Sequence, residues 1–217
     1  KTWPDPLQKI WLSLNIEEAV PERTNDIEWV PITDIPIEMQ QALLASEDHN
    51  FYNHGAIDVD GILRATLVNI TAGEVVQGGS TITQQLTKNL FLSQEQTLIR
   101  KTEEALLSLV MEQHYSKDQL LEIYFNTTYF GAGATGIKSA ALTYFDKLPQ
   151  EMQLAECAII AALPYAPSAL NPLENPEGCK KRQRLVLQTM VKRGYIGTTL
   201  AEKTSAEPVF LANGATF

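Results

Sequence analysis

Glu47-Asp48 opens the run Glu47-Asp48-His49-Asn50-Phe51-Tyr52-Asn53-His54-Gly55. The apolar periodicity before it predicts a helix up to about Glu47, so that carboxylate stands where a helix meets a turn. A carboxylate so placed can act as general base on a substrate hydroxyl within hydrogen-bond reach. It can equally be a solvated acidic helix end, although an acid at a C-terminus opposes the helix dipole. Glu104 is the second acid. Arg100 lies four residues before it, and Leu107 and Met111 three and seven after, which sets the carboxylate between a cation and an apolar stripe. Taken alone, that pattern reads as an ordinary helix ion pair. Gly78-Gly79-Ser80-Thr81, ahead of a helical segment, has the outline of an anion site. Its glycines free the backbone, and a helix N-terminus offers unpaired N–H groups. Lys88, Arg100 and Lys101 could surround a phosphate there. No Gly-Lys-Ser/Thr follows, so this is not a Walker A loop.

Other patterns carry less. Gly131-Ala132-Gly133-Ala134-Thr135-Gly136 matches G-x-G-x-x-G, but the segment before it reads helical and no strand–helix alternation follows. A tight helix–helix connection is the better reading than a dinucleotide fingerprint. His49, His54 and His114 form no H-E-x-x-H, and Cys157 and Cys179 no C-x-x-C. No metal site or redox dithiol is predicted. Cys157 sits in an apolar run and reads as a buried thiol. Lys180-Lys181-Arg182-x-Arg184 reads as a solvated helix face, with acidic lipid headgroups the lesser alternative.

The elements that must position these residues are mostly helical. Residues 1–35, with four prolines, are expected to be irregular, with a short extended piece at Ile27–Ile32. Asp34 with Pro36 in the first turn predicts the helix ending near Glu47. Residues 57–70 predict an amphipathic helix, 71–79 a mobile loop, and the stretch after Ser80 a helix to Phe91. A helix over about 97–114 carries Leu98, Ala105 and Leu109 on one stripe. Ser116-x-x-Gln119 is a capping box for the next helix, to about Phe125. Ile137, Ala140, Ala141 and Tyr144 follow helical spacing. Pro149 opens a helix that is apolar nearly all round from Leu154 to Leu163, as a central buried element would be. Asn175-Pro176 starts the last predicted helix, and Gly194 stops it.

The chain has 217 residues, 44% hydrophobic and 20% charged, a globular composition, and the segments above sum to a single, mainly α-helical unit. Its 17 basic and 26 acidic residues give a net charge of −9. That balance excludes a broad electrostatic grip on nucleic acid. No apolar run reaches the ~18–20 residues that span a bilayer. The chain begins at Lys1 without a methionine, so a trimmed product, with an N-terminal membrane anchor removed, is expected.

Together the segments resemble the peptidoglycan glycosyltransferase (transglycosylase) domain of monofunctional biosynthetic transglycosylases and class A penicillin-binding proteins. The family's E-D-x-x-F-x-x-H-x-G is met by Glu47, Asp48, Phe51 and His54, with Gly55 one place early. Its G-x-S-T-x-x-Q-Q-x-x-K-N is complete in Gly78, Ser80, Thr81, Gln84, Gln85, Lys88 and Asn89. R-K-x-x-E is Arg100-Lys101-Thr102-Glu103-Glu104. The fourth motif is Lys117 with Leu121-Glu122-Ile123-Tyr124-Phe125-Asn126, and the fifth runs from Gly131 to Tyr144-Phe145. Two departures stand out. Gln96 replaces an arginine common in the family, and Asp146 replaces the glycine of Tyr-Phe-Gly-Lys.

The resemblance implies a single domain over residues 1–217. Its fold would be a lysozyme-like helical lobe with a smaller mobile lobe, about 57–92, next to the membrane. It implies that lipid II is the acceptor and a lipid-pyrophosphate-linked glycan the donor. Glu47 would take the proton of the acceptor 4-hydroxyl, and Glu104 would be the second essential acid. Lys88, Arg100 and Lys101 would neutralise the pyrophosphate, with or without a divalent cation (Mg or Mn); no cofactor is otherwise required. Asp48, His54, Ser80, Thr81, Gln84, Asn89, Glu122 and Asn126 would contact substrate. The implied partners are the membrane surface and other cell-wall synthesis proteins, at the extracytoplasmic face of a bacterial membrane. Ile62, Leu63, Leu67 and Val68 are expected to face lipid rather than core. Two alternatives remain: a lysozyme-like glycan-cleaving enzyme, which would want two carboxylates flanking the bond, and a non-catalytic binder of lipid-linked glycan.

Overall fold

Ten α-helices lie wholly within the described residues, which in this computed structural model are 11–72, 78–93, 95 and 97–216, and most of them answer a helical periodicity of the sequence. They are α1 (Ile16–Thr24), α2 (Ile37–Glu47), α3 (Val59–Ala72), α4 (Ile82–Phe91), α5 (Leu98–His114), α6 (Lys117–Thr127), α7 (Ile137–Phe145), α8 (Leu154–Ala162), α9 (Pro176–Lys192) and α10 (Thr198–Ala206). No strand occurs among the described residues; two isolated antiparallel bridges, Tyr129 to Thr135 and Phe210 to Thr216, are the only β pairing there. No described helix is long and apolar enough to cross a membrane.

The helices gather into two compact units. The first takes the chain up to Ile27 and Asn50–Thr127; the second takes Glu28–His49 and Thr128–Phe217. In the first, α4 packs on α5 and α6, and α1 on α5. In the second, α8 is central, packed on α2 and α9, with α9 also against α2 and α10. Residues 157–163 are all fully buried, which accounts for the unbroken apolar run at the end of α8. This division differs from the small lobe expected over 57–92, because α1, α5 and α6 belong with α3 and α4.

Of the segment expected to be irregular, residues 1–10 lie outside the described residues, and 11–24 are mostly helical. Residues 11–14 are helical, and α1 follows with Pro21 inside it. Leu12, Ile16, Ala19 and Val20 are buried on one face, and that burial outweighs the hydrogen bond the proline removes. Residues 27–31 form no strand. Asp34 ends a 3-10 turn, and Pro36 is the N-cap of α2. Pro149 opens only a 3-10 turn; α8 starts after Gln153, whose N–H donates to Glu156 Oε2 at 2.8 Å. The buried face of α5 is Glu104, Leu107, Ser108 and Met111, while Leu98 and Leu109 are exposed. α10 carries no strong sequence signal. The loop expected to be mobile over 71–79 falls largely on 73–77, outside the described residues; Thr71 and Ala72 are the last residues of α3.

Two glycines mark close approaches of the backbone. Gly131 has φ +89, and a Cβ there would stand 2.5 Å from the Pro167 carbonyl oxygen, so the G-x-G-x-x-G segment is a tight turn before α7. Tyr144 closes that turn, its hydroxyl donating to the Phe130 carbonyl at 2.9 Å. At Gly79 a Cβ would stand 3.2 Å from the Ile62 Cα, so the backbone passes close against α3.

Candidate active site

The first unit builds its polar cluster on the starts of α4 and α5. Thr81 caps α4: its hydroxyl accepts from the Gln84 N–H at 3.1 Å, and Gln84 Oε1 accepts from the Thr81 N–H at 3.0 Å. The Thr81 hydroxyl also donates to the Ala56 carbonyl at 2.7 Å. Thr81 and Gln84 are both buried. These groups, expected at the substrate, tie down the loop that presents Ser80. The T-x-x-Q spacing that signals such a cap is present in the sequence.

Thr97 caps α5, accepting from the Arg100 N–H at 3.2 Å. One turn of α5 then carries Arg100, Lys101 and Glu104. Arg100 Nη1 donates to one carboxylate oxygen of Glu104, and Lys101 Nζ to the other. Lys101 Nζ also donates to Ser80 Oγ at 2.8 Å. Glu104 is 2% exposed, Arg100 13% and Lys101 43%. The ordinary surface-pair reading of Glu104 therefore fails: this carboxylate is buried and shared by two cations. The cluster keeps one positive charge in excess, with Lys101 and the Ser80 hydroxyl nearest to solvent. The Ser108 hydroxyl, 2.6 Å from the Glu104 carbonyl and 3.1 Å from the Thr87 hydroxyl, braces this turn of α5 against α4.

The other predicted residues are spread along the same elements. Lys88 is half-buried on α4, and Asn89 beside it is exposed. On α6, Asn126 is buried and donates to the Glu122 carbonyl at 2.8 Å, while Glu122 is half-buried. Tyr124 of α6 donates to Gln85 Oε1 at 3.0 Å, which links α6 to α4. His54 follows the 3-10 turn Phe51–Asn53 and meets the Phe51 ring edge-on, centroids 6.4 Å apart. In the second unit, Glu47 is the last residue of α2 and half-buried. Asp48 is the C-cap, buried, its N–H donating to the Leu44 carbonyl at 3.0 Å. The chain leaves the second unit after His49, so the first motif contributes to both units.

Two acceptor groupings escaped the sequence. Glu112 Oε1 accepts from Thr83 at 2.6 Å and from Lys117 Nζ at 2.7 Å. Thr83 and Glu112 lie 29 residues apart, so no local spacing announces them. Glu156 binds Lys147 Nζ at 2.6 Å, holding the end of α7 to the start of α8 past the Asp146 departure, where Asp146 takes a left-handed φ of 54.

The cluster does not fit a metal ion. Both Glu104 oxygens are engaged by cations, and no three His, Cys, Asp or Glu residues converge among the described residues.

Comparison with known proteins identifies the family of the chain. The model of the family described as transglycosylase matches residues 14–191. Penicillin-binding protein 1A of Aquifex aeolicus is 46% identical over 181 residues, covering 83% of this chain and 25% of that protein. Penicillin-binding protein 1A of Neisseria flavescens is 48% identical over 179 residues, covering 82% and 22%. The chain thus spans about a quarter of the length of the curated relatives it matches. The crystal structure of penicillin-binding protein 1A from Haemophilus influenzae matches 86% of this chain and 18% of that one, with a TM-score of 0.53 and 24% identity. At that identity the match speaks for the mainly α fold alone.

Proposed function

The chain belongs to the transglycosylase family, and from that premise we propose that it polymerises lipid II into glycan strands. The acceptor 4-hydroxyl oxygen attacks the anomeric carbon of the lipid-linked donor. The bond from that carbon to the pyrophosphate breaks, the configuration inverts, and a β-1,4 link forms. Glu47 takes the hydroxyl proton, a role suited to a half-buried carboxylate at a helix end. The pyrophosphate leaves with its electron pair, and Arg100, Lys101 and Lys88 stabilise the developing charge. The Ser80 hydroxyl and Lys101, hydrogen-bonded to each other, are the nearest groups for it.

One observation carries this reading: the Glu104 carboxylate held between Arg100 and Lys101, with Lys101 reaching Ser80. Glu104 orients the two cations and keeps them from repelling each other. Both its oxygens are so engaged, which disfavours a glycosidase acid that must protonate a leaving oxygen. A divalent cation, where used, would ride on the pyrophosphate, and no step here is routed through it.

The membrane partner is proposed on α3. Val59, Leu63, Leu67 and Ile70 are exposed, while Gly61 and Ala65 are buried. At a net charge of −9, attachment would be apolar rather than electrostatic. From the family reading we infer that the domain works at the extracytoplasmic face of a bacterial membrane, where lipid-linked precursors and other cell-wall synthesis proteins would meet it. The test is incubation of the protein with lipid II and separation of products by length. A ladder of polymer is expected; cleaved glycan, or no product, would overturn the proposal.

A further inference from the structure

We propose that Lys117 and Glu112 are positioning residues that hold the aromatic turn carrying Phe51 and His54, a role that rests on the transglycosylase reading above. Lys117 opens α6, Glu112 lies near the end of α5, and Thr83 is on α4, all in the first unit. Lys117 Nζ stands 4.5 Å from the centroid of the Phe51 ring. The same ammonium donates to Glu112 Oε1 at 2.7 Å, and the Thr83 hydroxyl donates to that oxygen at 2.6 Å. Three helices therefore fix one ammonium, and the ammonium fixes one ring.

The partners are set in low-dielectric surroundings. Thr83 and Phe51 are buried, and Lys117 and Glu112 are only 20% and 15% exposed. A cation over an aromatic face is worth most where water is excluded. The paired carboxylate keeps the ammonium from seeking solvent. Phe51 in turn meets His54 edge-on at 6.4 Å and Tyr52 edge-on at 5.3 Å. Tyr52 is tied back to α6 through Asp118 at 2.8 Å. The turn is thus gripped by α6 at two points, Phe51 by Lys117 and Tyr52 by Asp118. His54, the first-motif residue at its end, takes its place from that grip. Neither Glu112 nor Lys117 needs to touch substrate to act in this way.

The test uses the full chain with Lys117→Met, which keeps the length of the side chain and removes the charge, and Lys117→Arg, which keeps both the charge and the stacking. Lys117→Met is expected to lower kcat for lipid II polymerisation by about ten- to a hundredfold with KM little changed, as a misplaced group typically does. The His54 imidazole resonances should move in Lys117→Met. Lys117→Arg should restore both the resonances and most of the turnover. Turnover of Lys117→Met within about twofold of wild type would overturn the proposal, as would unmoved His54 resonances or failure of Lys117→Arg to restore them. Should Lys117→Met melt below the assay temperature, Glu112→Gln, which keeps side-chain size, is judged by the same kcat and resonance criteria. The resonances need no lipid II. A wild-type protein that fails to polymerise would defeat the functional reading alone, and resonances that stay put would defeat this one.

Discussion

Glu104→Gln tests whether the Arg100–Glu104–Lys101 cluster is a buried ion pair with a second cation or a surface contact. The substitution keeps the volume and one amide oxygen and deletes the charge. Glu104 is 2% and Arg100 13% exposed, and breaking a pair buried to that degree costs ~3–5 kcal/mol. The retained amide oxygen recovers ~1 kcal/mol as a hydrogen-bond acceptor. Lys101 is 43% exposed, so water screens its charge and its share is only ~0–1 kcal/mol. The expected loss is therefore ~2–5 kcal/mol. At ~2–4 °C per kcal/mol for a chain of this size, Tm should fall by ~4–20 °C. Melting followed by far-UV circular dichroism at low salt and at about 1 M salt separates the readings, since the Debye length then shrinks to ~3 Å. A buried pair keeps its effect at high salt, and a surface pair loses it. A Tm within ~1 °C of wild type, or a loss that vanishes in salt, would refute the reasoning. In Arg100→Met/Glu104→Gln the two losses should not add, because the two side chains share one interaction.

Three further outcomes are expected. Glu47→Gln should leave the fold intact and stop lipid II polymerisation; loss of a general base costs ~10²–10⁴-fold, so more than about a tenth of wild-type turnover would exclude Glu47 as the base. Leu63→Ser with Leu67→Ser, at positions 59% and 67% exposed, should abolish liposome association with Tm nearly unchanged, and a collapse in Tm would return these residues to the core. Burial pushes the Cys157 and Cys179 thiols up, Cys179 to about 12, so at pH 8 neither holds appreciable thiolate. Neither should react with a thiol reagent until denaturant is added, and rapid labelling of the native protein would contradict the burial.

What the sequence determined by itself was the set of helices with strong periodicity and clear ends, and the ordered motifs that place the chain in its family. Ser116-x-x-Gln119 and Asn175-Pro176 mark helix starts through short-range hydrogen bonds, and the structure forms both. The apolar run from Leu154 to Leu163 forecast a central buried segment because a helix apolar all round has no other stable place. Where tertiary packing overrode a local signal, the reading failed. Pro21 suggested an irregular segment, yet the buried face of Leu12, Ile16, Ala19 and Val20 carries a helix through it. Arg100 and Glu104 looked like a surface pair, because spacing along one helix says nothing of what covers it. Burial beside Thr87 and Ser108, and the reach of Lys101 to Ser80 across 21 residues, were decided by the packing of α4 on α5. Thr83, Glu112, Lys117 and Phe51 were invisible as a group for the same reason. Each side chain is ordinary in its own segment, and only the packing of several helices brings a hydroxyl, a carboxylate, an ammonium and a ring within contact of one another.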